Sequence, residues 1–190
     1  MALFLVGLVL FIGIHSIRII ANDRVDAFRD RIGAGPYKGL YSLISLAGLV
    51  FIVMGYGDAA VMLGDVWYPP VWTRHLAALL MVPAFVLLVA AYFPGRIKRA
   101  VKHPMVASVK IWAFAHLLAN GRGIDLLLFG AFLAWAVVAR ISMKRRVSEP
   151  MLHAPESALN DGIAIGAGIL LWAVMAFYLH GVLFAVAPFG

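Results

Sequence analysis

Six long apolar stretches, at residues 2–20, 37–56, 72–93, 104–119, 124–141 and 163–187, alternate with short polar segments. A helix that crosses a bilayer needs about 20 mostly apolar residues. Within hydrocarbon only helices and closed barrels satisfy every backbone polar group, and unbroken runs of this length are helical. The expected fold is therefore all-α: a polytopic transmembrane bundle of about six helices with short loops, forming a single domain over residues 1–190. The chain is 64% hydrophobic and only 13% charged, where a soluble domain carries about a quarter charged residues. So much apolar surface in so small a volume requires lipid as a second solvent.

Thirteen of the 16 Lys and Arg residues fall in three clusters between these stretches. The first is Arg18, Arg24, Arg29, Arg31 and Lys38. The second is Arg96, Lys98, Arg99 and Lys102, and the third Arg140, Lys144, Arg145 and Arg146. Clusters after the first, third and fifth helices place those loops in the cytoplasm and both termini outside it. The net charge of +7 then reads as an orientation signal beside anionic lipid headgroups, not as a footprint for nucleic acid. The first stretch lacks a cationic leader and a small-residue cleavage site, so it is expected to be a retained helix. The outer second loop carries Asp58, Asp65 and the interfacial aromatics Trp67, Tyr68 and Trp72. Pro69 and Pro70 stop any helix there, and Pro83 is expected to kink the third. Residues 22–35 alternate Asp and Arg, as a cytoplasmic surface helix would, and residues 148–161 read as loop.

There is no cysteine, which excludes disulfides, Cys-ligated zinc, iron–sulfur clusters and a Cys nucleophile. Ionisable groups within a membrane are functional candidates, and here they are mostly histidines. His153 and His180 read as loop or interfacial residues; His75 and His103, at helix starts, divide evenly between packing and function. His15 interrupts an otherwise apolar helix and has Arg18 on its face at i+3. Ser108, Trp112, His116 and Asn120 recur every four residues as one polar-aromatic stripe. His103 and His116, thirteen residues apart, point in opposed directions about 20 Å apart along one helix, so a bis-histidine site needs a second helix, and His15 is the natural partner for His116. Such a pair fits haem iron held in a bundle core. Gly7 and Gly13 would let a flat macrocycle approach the first helix, though glycine there also serves helix packing. On this reading Arg18 anchors a propionate, Arg96 or Lys98 supplies a second cation, and Asn120 orients the His116 ring. A depth difference of roughly 10 Å counts against the pair, leaving His15 with His103, or His75 with His116, as competitors. A small transporter with Lys110 as a relay is weaker, because acids are missing from the helix interiors apart from Asp125.

The segment KHPMVASVKIWAFAHLLANG at 102–121 resembles the NnrU family, as do FIGIHSIRI at 11–19, YSLISLAGLVFIVMGYGDA at 41–59, RHLAALLMVPAFVLLVAAYFPGRIKRAVKHP at 74–104 and FGAFLAWAVVARISMKRR at 129–146. The resemblance covers residues 1–146, and the tail carries no recognised motif. It implies an inner-membrane protein associated with nitrate and nitric oxide respiration in bacteria. The family is similar to the plastid 15-cis-zeta-carotene isomerase, a membrane haem enzyme whose HS and AH-x-L histidines are implicated in haem binding. Those motifs fall on His15 and His116 and imply haem b, while the HP motif falls on His103. The relative's cysteine before AH-x-L is Ala113 here, so a Cys ligand switch is not available. The implied roles are a haem-dependent isomerase or redox enzyme acting on a lipophilic small molecule, or else a non-catalytic accessory protein that helps assemble a respiratory complex. The other partner expected is membrane lipid.

Overall fold

The computed structural model describes residues 1–145 and 157–189. Among these the chain is helical apart from connecting turns and one isolated bridge between Asp65 and Arg122. The helices are α1 (Ala2–Ile20), α2 (Asn22–Ile32), α3 (Ala34–Leu63), α4 (Val71–Ala90), α5 (Arg96–Val101), α6 (Pro104–Ala119), α7 (Gly123–Arg145) and α8 (Ala158–Val174). A π-helical turn over Met175–Leu179 then leads into α9 (His180–Phe184). Five segments are long and apolar enough to cross a membrane: α1, α3, α4, α7 and the run Ala158–Phe184. The expected all-α polytopic fold is the one observed, and the Asp/Arg segment forms α2, a separate helix as anticipated.

Several boundaries differ from expectation. α3 runs for 30 residues, well beyond 37–56. Its ends are set by backbone rather than hydrophobicity: Gly33 (φ 90°) precedes it and Gly64 (φ 59°) follows it, both in conformations that glycine adopts without steric cost. α6 has only 16 residues, about 24 Å of helix against a hydrocarbon core of about 30 Å. The last run starts earlier than 163, because Ser157 caps α8 by accepting from the Leu159 N–H at 3.2 Å. Asp161 therefore sits inside a helix, not in a loop. His153 and Arg146 lie outside the described residues.

Contacts gather the helices into two compact units: Met1–Val66 with Arg122–Ala131, and Trp67–Gly121 with Phe132 onward. In the first, α1 packs on α3. The packed face of α3 is small, with Gly48, Ile52, Gly55 and Ala59 buried, while Leu43, Leu46, Val53 and Met54 are exposed. This distribution suits lipid, where small residues let backbones close and large ones meet the acyl chains. In the second unit α4 packs against α6 and α8. Ser108 Oγ donates to the Ala84 carbonyl at 2.7 Å and Trp172 Nε1 to that of Ala78 at 3.0 Å. Asp161 at the start of α8 accepts from the Arg96 and Ile97 N–H groups at 3.0 and 3.1 Å. A carboxylate there meets the orphan donors and positive pole of α5.

Candidate functional site

His15 and His116, the pair expected from sequence, belong to different units, His15 to the first and His116 to the second. Their local settings match. His15 Nδ1 lies 2.7 Å from the Phe11 carbonyl, and His116 Nδ1 lies 2.8 Å from the Trp112 carbonyl. A carbonyl can only accept, so each Nδ1 carries the proton and each Nε2 the lone pair. An Nδ1 contact of this kind fixes the orientation of each ring. Both rings are braced by aromatics. Phe11 stacks on His15 at 4.3 Å between centroids and Tyr41 meets it edge-on at 5.2 Å. Trp112 lies 5.3 Å from His116 and itself meets Phe132 at 5.4 Å.

Other expected residues are placed differently. Arg18 donates from Nη2 to Asp26 at 2.6 Å, so α1 is pinned to α2 through the very cation expected at a propionate. Lys98 donates to the Ala91 carbonyl at 2.9 Å. Asn120 donates to the backbone carbonyl of His116 at 2.8 Å, capping the end of α6. Gly7 serves packing: a Cβ there would stand 2.5 Å from the Ile52 nitrogen. Gly13 has open space around it. His75 is exposed, with its ring 6.4 Å from Phe189.

His103 precedes α6 at an unusual turn. Lys102 adopts φ 67°, ψ −46°, and the His103 N–H donates back to the Val101 carbonyl at 2.8 Å. This positive-φ γ-turn is strained for a residue with a side chain. Arg140 from α7 braces it, donating to the same carbonyl at 3.3 Å. Partial burial, then the cations Arg140 and Lys102, hold the His103 imidazole below its ordinary value. The HP motif thus marks a tight turn beside a guanidinium, which no periodicity in the sequence reveals.

Two pairings are not encoded in the spacing of the sequence. The first is His180, set aside as interfacial. Its ring lies 6.5 Å from that of His116 and within 23° of parallel, with Nδ1 on the Val186 carbonyl at 2.7 Å. The π-helical turn before it resets the helical phase, which a straight-helix reading of residues 163–187 cannot anticipate. The second is the buried Asp125 on α7, which accepts a hydrogen bond from the Tyr56 hydroxyl on α3.

Among the described residues no group of three or more His, Asp and Glu gathers as a metal cluster. A family model described as NnrU protein matches residues 3–188, extending the likeness through the tail that carried no recognised motif. No curated protein and no solved structure matches the chain.

Proposed function

The chain belongs to the NnrU family and has the helices of a multi-pass membrane protein, and from that premise we propose that it is a haem-b-binding protein of the bacterial inner membrane, tied to nitrate and nitric oxide metabolism and acting as an isomerase or redox enzyme on a lipophilic small molecule. The carrying observation is the shared anchoring of His15 and His116. Each sits in an apolar helix, each has Nδ1 on the carbonyl four residues earlier, and each therefore has Nε2 as its basic nitrogen. These two imidazoles are the axial ligands in this reading. Haem iron would supply a Lewis-acidic or one-electron centre, or one that takes up nitric oxide.

The test is the absorption spectrum of detergent-purified protein made with ample haem. A Soret band with sharp reduced α and β bands is expected, and it should disappear or turn high-spin in His15→Ala and in His116→Ala. Colourless wild-type protein would instead favour a non-catalytic accessory role at a respiratory complex. The closeness of His180 to His116 favours one specific variation on the ligand pair. If His15→Ala keeps the wild-type spectrum while His116→Ala and His180→Ala both lose it, His180 replaces His15 as ligand.

A further inference from the structure

At the start of α3, within the first unit, a groove of about 360 Å³ is lined by Arg18, Tyr37, Lys38, Tyr41 and Ser42. That volume is at the small end of ligand sites, which run from about 300 to 1,000 Å³. Its walls combine two cations, two phenol rings and a hydroxyl, with no acid among them. Arg18 is held in place by Asp26, but Asp26 also takes Arg29 at 3.3 Å. The whole of α2 is neutral, with Asp23, Asp26 and Asp30 against Arg24, Arg29 and Arg31. Asp26, shared between Arg18 and Arg29, therefore offsets only part of their charge, and no acid among the groove's lining residues faces Lys38. Tyr37 and Tyr41 lie 6.3 Å apart along one wall, and Tyr41 also meets His15 edge-on. One end of the groove is thus cationic, and its aromatic wall leads toward the His15 imidazole.

We propose that this groove binds the carboxylate of an amphiphile, with Lys38 and Arg18 receiving the head and Tyr37 and Tyr41 lying against the first part of its apolar body. A carboxylate offers two oxygens to two cations, and the guanidinium fork suits it. A lipid phosphodiester also presents two free oxygens, but it is buried mid-headgroup with polar substituents on both sides, whereas a carboxylate sits at the very end of its apolar body, next to which the two phenol rings lie. The carboxylate has two candidate sources, a free fatty acid or a haem propionate, and only the second rests on the haem reading.

The experiment uses the purified full chain in phosphatidylcholine nanodiscs with a diazirine-bearing palmitate, the labelled peptides being mapped by mass spectrometry. Labelling should fall on the segment from His15 to Ser42, drop several-fold in Lys38→Gln and recover in Lys38→Arg. Excess oleate should compete and excess phosphatidylglycerol should not. Arg18→Gln should weaken labelling too, but it also breaks the ion pair to α2, so Lys38 carries the decision. Labelling that ignores Lys38→Gln, or that phosphatidylglycerol displaces as well as oleate does, overturns the site. Competition by haem assigns the carboxylate to a propionate; its failure beside effective oleate assigns it to a fatty acid. Because the label reports without haem, a colourless protein would defeat the haem reading and leave this result standing.

Discussion

Asp125 and Tyr56 show what a single polar pair does in a bundle of this composition. Asp125 is 5% exposed and lies in the first turn of α7, where a carboxylate meets the positive pole of the helix. Tyr56 donates to it from α3, and Arg122 lies 4.0 Å from Asp65 at the same end. Removing only the hydroxyl leaves a buried acceptor without this donor, which costs about 1–3 kcal/mol, whereas removing both partners with apolar groups of similar shape costs far less. Tyr56→Phe is accordingly expected to lower the thermal midpoint in detergent. Tyr56→Phe combined with Asp125→Leu should lose less than the two single changes added together; strict additivity would mean that the pair does not couple. Lys102 offers a converse case. It is a non-glycine residue in a γ-turn at φ 67°, a sparsely populated conformation that costs on the order of 1–3 kcal/mol, so Lys102→Gly is expected to raise the thermal midpoint.

At the scale of elements, close approach governs the first unit. A Cβ on Gly48 would stand 2.8 Å from the Phe11 nitrogen, and one on Gly7 would stand 2.7 Å from the Gly48 carbonyl oxygen. α1 and α3 therefore meet backbone to backbone, an approach that no larger residue permits. Gly48→Leu must push the helices apart, and overpacking of this kind costs about 1–3 kcal/mol. Gly57 is on the same helix with nothing within 4 Å of its added Cβ, and Gly→Ala in a helix interior gains up to about 1 kcal/mol. Thermal melts should therefore fall for Gly48→Leu and hold or rise for Gly57→Ala. Equal losses in the two variants would remove close packing as the explanation.

For the whole molecule the question is how many times the chain crosses. α6 is short for a spanning helix, yet Trp67, just before α4, donates to the Gly121 carbonyl, just after α6, at 3.2 Å. α4 and α6 also pack together, so α6 returns antiparallel along α4 and ends where α4 began. A crossing by α6 alongside α4 would need local bilayer thinning to take up the mismatch, and it is the premise of the prediction that follows. Arg140 reaches the Val101 carbonyl, which places one cation of the third basic cluster beside the end of the second. Six crossings with the clusters inside predict that reporters fused at Gly64 and after Gly190 register the outer side and one near Lys98 the inner side. A cytoplasmic signal after Gly190 would mean an odd number of crossings.

Much of this was legible in the residues themselves. Fold class, the α2 helix and family membership all follow from hydrophobic run length, cation placement and short motifs, because in lipid the backbone has almost no alternative to the helix. What the sequence could not supply were the partners of individual polar groups. That Arg18 pairs with Asp26, that Asn120 turns to a carbonyl, and that Gly7 admits a helix depend on which side chains lie across a gap of a few ångströms. His180 is the clearest instance: a π-helical turn shifts its direction, and a straight helix drawn through residues 163–187 sends it elsewhere. Periodicity fixes directions along one helix, but the meeting of two helices is set by close packing between residues far apart in the chain, and that only the tertiary structure decides.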